Sequence, residues 1–500
     1  MPAPTAVVLV HVTSLPGAAP VGELGELAQA FLRLCRQAGL DGWQMLPVGP
    51  CGAGNSPYSA LSSFAGHPLL ISPGPLVAAG LLKTCEIPPP PAAAARVDYD
   101  AVTSWKREWV ERAWSRFRTN PPARCRVDHA RWREGPAANW IEEWRLFAAL
   151  RVEHGRRPWF EWPVAVRHRQ RAALRAARER LAAAMQFHEF VQFLFGAQWN
   201  DLRAAAAAAG VRLIGDLPFY PAHDSADTWG RPDLFSMDPG GKILQSAGVP
   251  PDYFSADGQL WGTPTFRWNR LREEGYAWWS DRLAAQLARF DVVRLDHFRG
   301  YAAYWAVDGT PADARGGRWL PGPGAAPFAT LADADGRLIA EDLGEIDEPV
   351  HDLRRRLDLP GMVVFQFLQG DTPAGKPLPD LPRKTVLYTA THDNDTTRGW
   401  IDSLAATERD ELLARIGTSR ERAVERIVEI CLQAEVETVV IPLQDWLDLP
   451  AGARMNRPGV AAGNWEWRCV AMPSRADVKR LRGVLATANR GRRPDGAGPG

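Results

Sequence analysis

Little in this chain of 500 residues points to a membrane, to nucleic acid or to an oxidising compartment. No uninterrupted apolar stretch is long enough to span a bilayer. The N-terminus lacks the basic start, long apolar run and small-residue cleavage site of a signal peptide, so the expectation is a cytoplasmic protein. Net charge is nearly absent too: Lys and Arg total 59 against 58 for Asp and Glu, and a balance of +1 supplies no broad attraction for nucleic acid or an anionic bilayer. A neutral partner such as a sugar fits better. The six cysteines, Cys35, Cys51, Cys85, Cys125, Cys431 and Cys469, form no C-x-x-C pair and read as reduced thiols. No fixed-period repeat is present, and no dense Asp/Asn loop has calcium-binding spacing. No metal and no cofactor is expected.

What is abundant is tryptophan, at 21 residues. Indole rings stack on the C–H faces of sugars, but they also pack cores. Eight of them (Trp105, Trp109, Trp114, Trp132, Trp140, Trp144, Trp159, Trp162) crowd into residues 105–162. Pairs spaced i, i+4 at 105/109 and 140/144 favour helix packing there over ligand binding.

Short runs rich in Val, Ile and Leu alternate with longer amphipathic stretches, the pattern of βα units around a parallel sheet. Eight are candidates: Val7–Val12, Trp43–Val48, Val211–Phe219, Val292–Phe298, Leu338–Asp342, Val363–Phe367, Thr385–Thr391 and Thr438–Leu443. Eight strands predict an α/β fold closed as a (β/α)8 TIM barrel, with function at the C-terminal strand ends. The second and third strands are too far apart for one crossover helix. Residues 70–190 are therefore expected to be an inserted, mainly helical subdomain, with strands 1 and 2 in 1–69 and the rest of the barrel in 191–490. Gly309–Pro327 reads as a long loop, and 491–500 as a disordered tail.

Three strand ends carry acids. In Asp291-Val292-Val293-Arg294-Leu295-Asp296, the period of two puts Arg294 and Asp296 on one face and apolar Val293 and Leu295 on the other. Leu338-Ile339-Ala340-Glu341 ends likewise, and the strand from Thr385 ends in the polar cluster Thr391-His392-Asp393-Asn394-Asp395. Retaining glycoside chemistry needs one carboxylate to attack the anomeric carbon and a protonated one to serve the leaving oxygen. Asp296 beside an arginine suits the first role and Glu341 the second, while Asp393 suits the holding of sugar hydroxyls. Any one of these acids alone is equally consistent with a structural ion pair or a helix cap, and His392 with a satisfied core histidine. Three together at barrel strand ends favour chemistry.

These acids sit among longer matches. HVTSLPG at 11–17, WQMLPVGPCGAGNSPY at 43–58, IGDLP at 214–218, AHDSADTW at 222–229 and AGVPPDYFSADGQLWG at 247–262 are followed by THDNDTT at 391–397, IPLQD at 441–445 and MNRPGVAAGNWEW at 455–467. Over about residues 11–470 the chain resembles the amylomaltases, family 77 of the glycoside hydrolases. The resemblance implies 4-α-glucanotransfer by a retaining double displacement. It implies a nucleophile at Asp296, an acid/base at Glu341 and a transition-state stabiliser at Asp393. Tyr58, Asp216, Arg294, His392 and Asn464 are then expected to line the donor site, and the 247–262 segment, with Tyr253, Phe254 and Trp261, to form a lid over the acceptor. Turn closure is the alternative for Tyr58 and Asn464, capping for Asp216, and loop anchoring for the lid aromatics.

The chain departs from many relatives at Ala53, Asn55 and Ser59, of which residues 53 and 55 are expected to border outer substrate positions, and at Val12, where a proline is usual. The implied partners are α-1,4-glucan donors and acceptors: maltooligosaccharides, glucose, starch or glycogen. The protein is expected as a monomer or small homo-oligomer. A hydrolase of the same clan would use the same three acids, so only the acceptor separates the two. A binding barrel without turnover would have no need of them.

Overall fold

A computed structural model of the protein describes residues 4–251, 256–329, 336–368, 372–373, 375–460 and 462–491. Among these the strands are β1 (Thr5–Leu9), β2 (Gly42–Gln44), β3 (Arg212–Leu217), β4 (Gln245–Val249), β5 (Gln259–Pro264), β6 (Val292–Leu295), β7 (Ala303–Asp308), β8 (Arg318–Pro321), β9 (Leu338–Ala340), β10 (Gly361–Val364), β11 (Thr385–Tyr388) and β12 (Thr438–Pro442). Eight of them form one sheet in the order β10-β11-β12-β1-β2-β3-β6-β9, and every pair between neighbours is parallel. The Ala340 N–H donates to the Pro360 carbonyl at 2.9 Å, which draws the two ends of that sheet together into a barrel.

Each barrel strand falls on one of the runs expected from the sequence, but most stop two or three residues sooner. The apolar runs continue past the ladder because the loops beyond it are themselves buried: Val10 and Val12 are 3% and 0% exposed. All four residues of β6 and of β11 are buried, as strands covered on both faces must be. Across the barrel interior, the Tyr388 hydroxyl on β11 donates to the Gln44 side chain on β2 at 2.9 Å.

Between β2 and β3 the chain forms a run of helices, including Tyr99–Thr119, Ala123–Glu134, Ile141–Glu153, Arg171–Arg180 and Ala182–Ala209. Asp98 caps the first, accepting from the Ala101 N–H at 3.0 Å. The last, 28 residues long, returns to the barrel, where Trp199 donates to the Arg289 carbonyl at 3.1 Å. It stops at Gly210, whose φ of 67° supplies the left-handed turn that leads into β3. Of the eight crowded tryptophans, six are buried and Trp114 and Trp140 are half-buried against them.

The strands β5-β4-β7-β8 form a second, antiparallel sheet. Two sequence expectations change here. The lid segment is not loop throughout: its ends are the paired strands β4 and β5, while Tyr253 and Phe254 lie outside the described residues. The expected loop 309–327 contains β8, a short, largely exposed edge strand whose Gly- and Pro-rich flanks read as loop. Only Gly491 of the expected tail is described. All six cysteines are free, and among the described residues no helix is long and apolar enough to cross a membrane.

One buried ion pair ties the helical insertion to the barrel. Lys106 donates to Glu23 at 2.6 Å and to the Ile71 carbonyl at 2.6 Å, and Ser72 donates to the other Glu23 oxygen at 2.9 Å. With side-chain exposures of 3% and 9%, neither charge has recourse to water. Glu23→Gln is therefore expected to destabilise the fold by about 3–5 kcal/mol by stranding the ammonium. Glu23→Gln combined with Lys106→Met should cost less than the two single changes added together. Denaturation midpoints of the three variants check this.

Candidate active site

Register assembles the centre of the site. Asp216 on β3 and Arg294 on β6 are cross-strand partners in the parallel ladder, so their side chains enter the barrel at one level. One guanidinium nitrogen of Arg294, Nη1, donates to both Asp216 oxygens at 2.8 and 2.9 Å and to Asp296 Oδ1 at 2.8 Å. Its Nε faces the Met362 sulfur at 3.4 Å. The Tyr58 hydroxyl, from the loop after β2, donates to Asp216 Oδ2 at 2.7 Å. Burial opposes the charge on Arg294, but Asp216 and Asp296 outweigh it and hold the guanidinium cationic. Burial, reinforced by Asp216, keeps the Tyr58 phenol protonated.

Asp296 stands one residue beyond β6 and its side chain retains 26% exposure, against none for Asp216. It is the carboxylate of this cluster that a ligand can reach. The next residue, His297, has φ 48°, in the left-handed region. Its N–H donates to Glu341 Oε2 at 2.7 Å, while the Leu343 N–H donates to Glu341 Oε1 at 3.1 Å. Burial raises the pKa of Asp296 against the pull of Arg294, with Asp216 and Glu341 adding to the rise. Glu341 is also raised by burial, against Arg294 and the two N–H donors. One guanidinium facing Asp216, Asp296 and Glu341 leaves excess negative charge, and the pair Asp296/Glu341 relieves it by holding a proton. Arg294 lies beside Asp296 as the sequence suggests, and it is shared with Asp216.

The third group comes from the loop after β11. His392 stacks on Tyr58 with ring centroids 5.2 Å apart and planes at 16°. Burial lowers its pKa, Asp393 opposing, so the imidazole is disposed to be neutral. Asp393, with a side chain 46% exposed, accepts from Asn456 at 2.6 Å and lies 3.3 Å from His392 Nε2. Arg454 donates to the Asp393 carbonyl at 2.6 Å. Beneath the loop, buried Asp445 accepts from the Thr389 hydroxyl at 2.6 Å, the Thr397 hydroxyl at 2.7 Å and the Thr397 N–H at 2.8 Å, clasping both ends of the segment.

Asp296, Glu341, Asp393, Tyr58, Asp216, Arg294 and His392 thus belong to one contiguous constellation. Trp261 on β5 meets His297 edge to face at 4.7 Å, beside Asp296. Asn464 differs: its amide closes the 457–464 loop, accepting from the Arg457 N–H at 2.9 Å and donating to the Val460 carbonyl at 2.8 Å. Its neighbour Trp465 is the residue that packs here, 5.8 Å from Tyr58 and 6.1 Å from His392. Sequence reasoning missed Trp465, Asn456 and Asp445. The motifs at 441–445 and 455–467 contain them, but nothing local assigns them a partner.

A closed parallel barrel that holds a buried arginine shared between carboxylates, with further acids at C-terminal strand ends, gathers its polar groups where barrels of this kind carry an active site. The chain belongs to the 4-alpha-glucanotransferase family, glycoside hydrolase family 77, whose profile matches residues 10–472. It is 42% identical to a 4-alpha-glucanotransferase of Thermus thermophilus over 92% of this chain and 93% of that one. It is 37% identical to the chloroplastic/amyloplastic 4-alpha-glucanotransferase of Solanum tuberosum, over 97% and 86% respectively. The solved amylomaltase from Streptococcus agalactiae, in complex with acarbose, superposes with a TM-score of 0.92 at 31% identity, covering 98% of this chain and all of that one.

The clasp on the 391–397 segment makes a prediction. Asp445→Ala leaves two hydroxyls and an N–H without their acceptor and frees the loop that carries His392 and Asp393. Glucan turnover should fall on the order of 10–100-fold, with Asp445→Asn, which keeps one acceptor oxygen, in between. Steady-state kinetics alongside near-UV circular dichroism separates this from loss of the fold.

Proposed function

We propose that this protein transfers α-1,4-glucan segments between maltodextrin-type chains, or to glucose, through a covalent glycosyl-enzyme intermediate. The observation that carries the reading is the unequal treatment of two neighbouring carboxyl groups. Asp296 receives a cationic donor, Arg294, while Glu341 receives only neutral backbone N–H donors. A charge-assisted bond favours ionisation more strongly, so the proton held by the pair belongs on Glu341.

Ionised Asp296 then attacks the anomeric carbon of the donor as the glycosidic C–O bond breaks, and Glu341 gives its proton to the departing oxygen. In the second half, Glu341 takes the proton from the 4-hydroxyl of an acceptor sugar, whose oxygen displaces Asp296. Asp393 and His392, exposed in part and neutral respectively, hold donor hydroxyls. Tyr58, Asp216 and Arg294 fix the floor beneath them, and Asn464 shapes the loop that presents Trp465. The six free thiols support a reducing compartment, the cytoplasm. Near-zero net charge supports a sugar partner rather than nucleic acid or an anionic membrane.

With maltotriose, a transferase yields glucose and longer maltodextrins, a hydrolase mainly glucose and maltose, and a non-catalytic glucan binder nothing. Asp296→Asn is expected to lower kcat by several orders of magnitude with folding intact, and near-normal turnover would sink the assignment. The pH profile carries the sign of the shifts. Activity should decline on the alkaline side as the pair loses its proton, and on the acid side as Asp296 gains one. Glu341→Gln should depress natural glucans far more than an activated donor whose leaving group needs no proton.

Transfer must also outcompete water at about 55 M, which requires contacts that orient a sugar acceptor. Trp261, against His297 and next to the nucleophile, supports that role, with Tyr253 and Phe254, which lie between β4 and β5 in the sequence, proposed to add aromatic surface. Loss of one stacked contact of about 1 kcal/mol shifts the partition roughly fivefold. Trp261→Ala is therefore expected to raise hydrolysis relative to transfer by about that factor. Released glucose and total reducing ends, followed together, measure it; an unchanged ratio would assign the ring to packing.

A further inference from the structure

The small sheet carries a second aromatic feature, on its far edge. Trp305 on β7 and Trp319 on β8 are direct register partners, so they project from the same face, and their rings meet at 5.3 Å and 70°. The alternate residues Tyr304 and Ala306 turn to the other, buried face. Trp319 is 37% exposed, next to Arg318 on a largely exposed strand.

Both rings are held in place. Trp305 donates to the Ala314 carbonyl at 3.0 Å, and Gly317 gives it room, since a Cβ there would come within 2.3 Å of its Nε1. The Arg299 guanidinium lies 3.8 Å from the Trp319 ring centroid. That arginine follows the nucleophile by three residues. It also donates to the Glu345 carbonyl and to Asp347 at 3.2 Å, both on the loop that leads away from Glu341. The indole is thus fixed to the rim of the cleft on the side of the acid/base. The exposed pair Arg318–Asp308, at 2.8 Å, lies on the same two strands.

We infer that Trp319, backed by Trp305 and Arg299, is an outlying stacking platform for an α-1,4-glucan chain that extends past the cleft on the acceptor side. The inference rests on the proposed glucanotransfer. An indole already immobilised offers the apolar C–H face of a glucose unit a surface without further ordering cost, and the neighbouring charged side chains suit its hydroxyls. The continuity of Arg299 with the catalytic loops makes a sugar chain leaving the cleft the fitting occupant.

The test uses the full chain and its Trp319→Ala and Trp319→Phe variants, with maltotriose and with maltoheptaose as sole substrate, and electrophoresis through gels containing amylopectin. Trp319→Ala should raise KM for maltoheptaose about fivefold with kcat little changed. It should alter maltotriose kinetics less than twofold and reduce retardation by amylopectin, and Trp319→Phe should recover most of the loss. Unchanged maltoheptaose KM and retardation would overturn the platform, as would equal losses on both substrates. A shift of Trp319→Ala to a smaller species in size-exclusion chromatography would assign the patch to contact between copies of the chain. If the wild type turns over neither sugar, the transferase reading fails, while gel retardation still reports on the platform by itself.

Discussion

The contact on which the site depends is that between Arg294 and its two carboxylates. A guanidinium inside a barrel has no water to fall back on, so it is tenable only if fixed acceptors replace its hydration. Asp216 supplies this from the adjacent strand by register alone, and it does so with a side chain that has no exposed surface. Tyr58 then completes Asp216, and His392 and Trp465 pack on Tyr58. Segments far apart in the chain, around residues 58, 216, 294, 392 and 465, are thereby bound through one cation. Loss of any one partner exposes the next to an unmet desolvation cost, which is how buried polar networks specify a single geometry.

The barrel strands were legible because they are largely buried and are written as short runs rich in Val, Ile and Leu. The small sheet was not. Its strand Arg318–Pro321 is short, exposed and at an edge, so neither alternation nor a continuous run marks it. Among the site residues, Asp296 and Glu341 were legible as charges that interrupt or end apolar strands. Asp445 and Asn456 were not, because their roles lie entirely in partners about 50 to 60 residues away: Thr389 and Thr397 for one, Asp393 for the other. Asn464 shows the reverse limit. Its position beside the site was readable, but a side-chain amide that serves its own loop and one that serves a ligand look alike in sequence.

Tryptophan is a similar case, in which number misleads and position informs. The cluster at 105–162, the most conspicuous feature of the composition, is mostly buried packing for the helical insertion, with Trp105 donating to the Pro88 carbonyl and Lys106 set between Trp105 and Trp109. The rings that border the candidate site, Trp261 and Trp465, lie outside that cluster. They reach the cleft only because a hairpin and a loop carry them there.

The difference between Asp296 and Glu341 does not reside in their own burial, which pushes both carboxyl groups toward the neutral form. It resides in what the next residues do. Beyond β6 the chain turns through a left-handed His297 and aims its N–H at Glu341, while Arg294, two residues before Asp296 on the same face, aims its charge at Asp296. A single strand end therefore addresses both acids, one through a charged side chain and the other through a peptide dipole. The charged donor lowers the energy of a carboxylate more than the dipole does, so one strand and its turn treat two neighbouring acids unequally. The proposed division of labour between nucleophile and proton donor rests on this difference, which Arg294 and His297 set up from a single strand end.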